Sequence, residues 1–482
     1  MFPAINRVQP SLDFVPPNYN SWLRRSLRPV MPLWTALQTQ VTEIECRNVE
    51  TLAKTYSDFN ANKTRVLLAF RHPSPTDPLV LSHLLWRELP QVAQQIQQPI
   101  GKAHSYFIYD RGIPLWAGSY LIWIFSRLGG IPIQRGKLDL NALKTAREIL
   151  LNGQFPLAVA PEGGNNGHNE IISPLEPGIA QLAFWCAEDI DSAKRDESVV
   201  IVPIGIQYKY IEDCWGKLEA LLSSLEDDLR ISSPSLHQAE GSVHVPGFTG
   251  QDCMYQRTSA LHNRADLYGR MYRLAEHLLT VIENYYQTFY GVAFSDAEQT
   301  SKTATGASCD PSDALGERLH ALLDKVLHVT EQYFSVRPKG SVIDRCRKLE
   351  QAGWDRIFRE DTHQLSPVEK GLADRAAEEA NLRLWHMRLV ESFVAVTGRY
   401  VQENPTADRF AETLILLKDT VQKIKGKPEP PYILGKQKAI VTIGEPLNVS
   451  QQLPTYRNKR RRAIADLTQD LQTAMESLII KS

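Results

Sequence analysis

Cysteine is scarce and unpatterned in this sequence: Cys46, Cys186, Cys214, Cys253, Cys309 and Cys346 are scattered over 482 residues with no C-x-x-C pair. That spacing argues against a disulfide framework or a cysteine-ligated metal centre, and reads as the reduced thiols of an intracellular protein. Charge of one sign is also lacking. A formal net charge of −1 gives no reason to expect nucleic acid or another polyanion as partner. No apolar run is long enough to cross a bilayer. The longest uncharged one, Gly112 to Ser126, falls short of the roughly 20 residues a spanning helix needs and reads as a buried or interfacial helix. The first twenty residues lack the basic-then-apolar pattern of a secretory signal, which points to the cytoplasm. No G-x-S-x-G elbow occurs, which disfavours a serine hydrolase. Gly129 to Lys137 carries glycines and a lysine at the wrong spacing for a nucleotide P-loop, and Leu138 follows the lysine.

What is present is an ordinary globular content, 43% hydrophobic, in a chain long enough for two or three units. Residues 1–60 read as an N-terminal helical, peripheral segment. Residues 61–212 alternate short apolar runs with helical stretches, the pattern of an α/β layer fold. Its expected strands are 65–70, 131–134, 157–160 and 199–206, and its expected helices 79–89, 116–128 and 140–152, the last stopped by Asn152-Gly153. Residues 213–435 are helical by periodicity, as in Leu315, Leu319, Leu322, Leu323, Val326 and Leu327, with a loop expected over 295–312. Residues 436–482 return to strand at 439–443 and end in a helix over about 456–479. The expected architecture is therefore a central mixed sheet flanked by helices, with a large all-helical insertion and a returning strand that completes the sheet. Within the insertion, Arg270–Tyr286 aligns with Arg318–Phe334 at an offset of 48, through pairs such as Arg270/Arg318 and Glu283/Glu331. A duplication and two similar amphipathic helices both fit that alignment.

Four short segments carry candidate chemistry. His72 follows the strand RVLLAF in a loop punctuated by Pro73, Pro75 and Pro78, which keep it out of a helix interior. In a tight turn Asp77 can meet the imidazole, fix its tautomer and support its protonated form. Asp77-Pro78 also reads as an N-cap followed by proline at the first helical position. Arg135, with Lys137 close by, ends a short strand and offers a fork for a phosphate or carboxylate, or else a solvated basic turn. Pro161-Glu162-Gly163 places an acid at the tip of a glycine turn able to approach an anion closely, or simply a tight turn. Pro203 breaks the apolar strand Val200–Gly205 and implies an edge or a bend.

Taken in order, His72…Asp77, Gly129-x-Ile131…Arg135, Pro161-Glu162-Gly163 and Val202-Pro203-Ile204 resemble the blocks of the glycerol-3-phosphate and 1-acylglycerol-3-phosphate (PlsC-type) acyltransferases. The resemblance covers about residues 60–212 and 436–480. It implies His72 as general base for an acceptor hydroxyl attacking an acyl thioester, with Asp77 orienting the ring and no covalent intermediate. It implies acyl-CoA or acyl carrier protein as co-substrate, no cofactor or metal, and a glycerolipid acceptor within phospholipid biosynthesis. Arg135, Glu162 and Gly163 would bind the acceptor's polar head. The third block departs from the family, reading Gly164-Asn165 where Thr-Arg is usual, so Arg135, Lys137, Arg71 or His168 would have to supply the missing cation, or the acceptor carries no phosphomonoester. Arg71 stands where the family has asparagine; a cation there would favour the neutral, base-competent imidazole. Basic–apolar stretches at Trp22–Arg28 and Lys459–Arg462 are expected to hold the protein peripherally on the inner face of a membrane. A catalytically reduced lipid-binding member of the same fold is the alternative reading, set against an intact His72 and Asp77.

Overall fold

A computed structural model of the chain describes residues 7–136, 138–231, 259–294, 311–393, 399–426, 430 and 432–481. Ten strands are present among them: β1 Gln9–Pro10, β2 Val41–Arg47, β3 Thr64–Phe70, β4 Tyr106–Asp110, β5 Gly130–Ile133, β6 Leu157–Val159, β7 Ser198–Tyr210, β8 Phe358–Arg359, β9 Gln437–Ile443 and β10 Leu447–Asn448. Eight form one mixed sheet in the order β2-β9-β7-β3-β6-β4-β5, with β10 paired to β7; β1 and β8 form a separate short ladder. From β7 through β3, β6 and β4 to β5 the pairing is parallel. β3 is buried along its whole length, as expected of an apolar strand covered on both faces.

One face of the sheet is covered by the helices Leu140–Asn152, Pro177–Ser192 and Arg460–Ser477, the other by Val49–Asn60 and the helical run from Asp77 to Gln95. The returning strand lands as expected, β9 running antiparallel to β7 from Ile204 to Tyr210. Three readings need correction. The first 60 residues are not only helical: Val41–Arg47 is the outer strand of the sheet and pairs with β9. Its polar Glu43, Glu45 and Arg47 hid it, because an edge strand has one solvated side. Pro203 lies in an interior strand. Its carbonyl accepts from Gly444 N at 2.9 Å, and its missing N–H faces the same side, at the point where β7 passes from β10 to β9, so only the end of a ladder goes without a donor. The helix expected at 116–128 is two short ones, Ile113–Ala117 and Tyr120–Arg127, broken at Gly118 with φ +112°.

Helices Trp215–Asp228, Ser259–Tyr290, Pro311–Phe334, Val342–Ile357, Pro367–Glu391 and Ala407–Lys425 build a second apolar core around Leu274, Leu322, Leu349, Leu384 and Leu414. Most of the expected loop 295–312 lies outside the described residues. The aligned segments prove equivalent in their pairing. Arg270 reaches back to Glu226 and Ser223, Arg318 to Glu283 and Thr280, and Arg345 to Glu331, each from one helix to an earlier one. All three glutamates are buried. Cys46, Cys186, Cys214 and Cys346 are unpaired; Cys253 and Cys309 lie outside the described residues.

Candidate active site

The chemistry-bearing residues collect where parallel strands end, outside their carboxyl ends, as open α/β sheets generally arrange their sites. His72 follows β3, Glu162 and Gly163 follow β6, Asp110 closes β4 and Arg135 follows β5. In sheet order this is a row of four neighbouring strands, each about 4.8 Å from the next.

The Pro73-Ser74-Pro75 loop turns Asp77 back onto the histidine. Asp77 Oδ2 lies 2.8 Å from His72 Nδ1 and accepts from Ser74 N at 2.9 Å. Oδ1 accepts the hydroxyl of Tyr208, near the end of β7. The side chain therefore serves the imidazole, although Asp77 is also the first residue of its helix. Asp77 is wholly buried. Burial pushes its carboxyl above the ordinary range, while the donors from His72, Tyr208 and Ser74 pull the other way. With a carboxylate on Nδ1, that nitrogen carries the ring proton and Nε2 is the basic one. The His72 side chain is 24% exposed, and no described residue hydrogen-bonds its Nε2. Tyr208 was not foreseen. It stands 131 residues from Asp77 in an apolar strand, where a tyrosine reads as core.

Glu162 is buried behind the histidine. Oε1 accepts the backbone N–H of His72 at 3.1 Å, and Oε2 accepts from Asn166 Nδ2 at 2.8 Å and Ser173 N at 2.9 Å. Both oxygens thus hold the protein's own loops. Arg71 is also fully buried. Its guanidinium donates to the carbonyls of His168 (2.9 Å), Asn169 and Ile171 (2.6 Å), and Nε stands 3.6 Å from Glu162. It staples the loop after Gly167 to the end of β3. His168 is buried against Tyr400, and burial lowers its pKa. Gly163 adopts φ +68°, which its turn requires, and its carbonyl accepts from Arg135 Nη1 at 2.8 Å.

Arg135 meets three carboxylates. Its Nε donates to Asp110, while Glu350 and Glu391, on two helices of the helical block, approach to 3.8 and 3.9 Å. These acids hold the guanidinium charged against its burial. Burial, with Glu391 and Asp110 nearby, pushes the Glu350 carboxyl up to about 7 against the pull of Arg135 and Arg388. Lys137 lies outside the described residues. His72, Asp77 and Glu162 thus form one hydrogen-bonded unit, and Arg135 reaches toward it through Gly163.

Residues 43–207 fit the family model described as Acyltransferase. No curated protein matches the chain.

Proposed function

We propose that this chain, whose residues 43–207 match the acyltransferase family model, is a PlsC-type enzyme that moves a fatty acyl group from a thioester donor to a hydroxyl of a glycerolipid. The observation that carries this reading is the pairing of buried Asp77 with His72 Nδ1, which leaves Nε2 of a partly exposed ring unengaged by any described residue. An acceptor O–H placed at Nε2 gives up its proton as its oxygen attacks the thioester carbonyl. The new C–O bond forms, the C–S bond breaks, and the proton passes from the imidazolium to the departing thiolate. Asp77 holds the ring in its tautomer and supports the imidazolium. Glu162 and Arg71 act one step back, as positioning residues that fix the histidine's backbone and the adjoining loop.

Acyl-CoA or acyl carrier protein is the donor this chemistry needs, and no cofactor is required. Among acceptors, the family resemblance implies glycerol-3-phosphate and 1-acylglycerol-3-phosphate. Purified protein would be incubated with each donor against these and other hydroxyl-bearing lipids, beside His72→Ala and Asp77→Asn. Product in the wild type and its loss in His72→Ala is the expected result. Activity surviving in His72→Ala refutes the base assignment.

Peripheral membrane contact belongs to the same reading. No described helix is long and apolar enough to cross a bilayer. The helix Ser21–Gln38 has no acidic residue and carries Arg24, Arg25 and Arg28. It exposes Trp22, Leu33, Trp34 and Leu37, and its start is hydrogen-bonded to the end of Tyr120–Arg127, which exposes Tyr120 and Trp123. Aromatics beside arginines on an outward face suit the surface of an anionic bilayer. In the C-terminal basic cluster, Arg460 and Arg462 are engaged with Glu188 and Asp466, which favours the N-terminal helix as the contact. Flotation with anionic liposomes at low ionic strength tests it: binding is expected and should weaken with salt, and its absence refutes the contact.

A further inference from the structure

Resting on the acyl-transfer reading, we infer that the acceptor's head group is an uncharged alcohol and not a phosphomonoester. A phosphomonoester needs cations free to meet it, and the described cations around this site are engaged by the protein itself. Arg135 is ion-paired with Asp110, and Glu350 and Glu391 stand 3.8 and 3.9 Å from it. Arg71 is spent on three backbone carbonyls and Glu162. The turn after Glu162 supplies Gly164 and Asn165, which bear no charge.

The carboxylates are not loose side chains that a phosphate would brush aside. The helix Val342–Ile357, which carries Glu350, lies directly on the two glycine turns. A Cβ built on Gly136 would stand 2.3 Å from the Arg347 carbonyl oxygen. One built on Gly163 would stand 1.7 Å from Glu176 Oε1 and 2.2 Å from Arg347 Nη2, and those two side chains form an ion pair over the turn. Beside Arg135 the helical block already places the carboxyl groups of Glu350 and Glu391. An added phosphate would face like charges there. A hydroxyl-bearing head brings no such repulsion and can still share hydrogen bonds with the exposed edge of this network.

A matched pair of acceptors tests the inference: a monoacylglycerol and the same lipid bearing a 3-phosphate, with one acyl-CoA. The wild type should show kcat/KM at least about tenfold higher for the uncharged acceptor, a difference of about 1.4 kcal/mol. Equal use of the two, or preference for the phosphate, overturns the inference. In Glu350→Gln/Glu391→Gln the preference should narrow, because two of the three carboxyl groups beside Arg135 can no longer carry charge; if that double variant does not fold, Glu391→Gln alone serves, since Glu391 is half exposed. A readout independent of turnover is the melting temperature in millimolar glycerol-3-phosphate. No saturable rise is expected for the wild type, and one is expected for the charge-neutralised variant. A saturable rise in the wild type that Arg135→Met abolishes also overturns the inference. Absence of product from every acceptor would sink the acyl-transfer reading, while the glycerol-3-phosphate titration still decides this one.

Discussion

Tyr208→Phe removes one oxygen atom from the centre of the molecule and leaves the ring. Among the described residues that hydroxyl alone donates to Asp77 Oδ1; the other oxygen keeps His72 and Ser74 N. Asp77 is fully buried, so no water replaces the lost donor at the surface. A hydrogen bond to a charged group contributes about 1.5–3 kcal/mol. At about 1.4 kcal/mol per factor of ten, the charged form of Asp77 should lose roughly ten- to a hundredfold in relative population. The sign follows from burial, which has already raised this carboxyl, while the Tyr208 donor opposes that rise. Without the hydroxyl the carboxyl rises further. The acid limb of the kcat/KM profile should therefore move to higher pH. The stability consequence has the same sign. A carboxyl raised in the folded state makes the protein most stable below the unfolded carboxylate range, and that stability is lost as pH rises through the folded value. The variant should steepen that loss. Acyl-transfer rates and thermal melts across pH 5–9, with wild type alongside, measure both. A Tyr208→Phe profile superimposable on wild type would refute the claim that Tyr208 tunes the Asp77–His72 pair.

Glu162→Gln turns an N–H₂ toward Asn166 Nδ2 and Ser173 N, two donors that now share Oε2. We expect a loss of about 1–3 kcal/mol and a fall in kcat with KM little changed, because the residue acts through the His72 backbone; a selective rise in KM would point to direct acceptor contact. Gly163→Ala forces a side chain into φ +68° and onto the Arg347–Glu176 pair. The backbone alone costs about 1–2 kcal/mol, so the melting temperature should fall by about 1–2 °C or more, and an unchanged melt refutes the argument. Arg318→Met leaves the Glu283 carboxylate buried without its bidentate partner, a cost of about 3–5 kcal/mol. Glu283→Gln added to it should recover part of that loss in the urea midpoint; strict additivity of the two changes would show that the pair is not coupled.

The sequence exposed the parts of the fold that rest on local pattern. β3 and the helix Leu140–Asn152 stand where periodicity placed them, and the returning strand closes the sheet. The edge strand β2 escaped because half its side chains face water. β4 lies in YFIYD, too short and too mixed for its period to stand out. At the site, residue types were legible but their surroundings were not. A buried arginine and an exposed one are spelled alike, so Arg71 read as a cation near the reaction when it is a staple for three carbonyls. The partners of Arg135 were illegible for a different reason. Glu350 and Glu391 come from a block whose placement over β5 depends on long-range packing that no local window records.

The double-length strand β7 ties the order of synthesis to the soundness of the sheet. Its first half pairs with β3, both of them made early, but residues 204–210 and the whole of β2 rest on β9, which emerges only after the entire helical block. Until then a run of apolar side chains flanks an open row of N–H and C=O groups in the middle of the growing molecule, the kind of edge that recruits other chains. The helical block is thus also a delay line. While it is being made, the nascent core must be kept apart from its neighbours, and a chain cut short before Gln437 would keep that edge open for good.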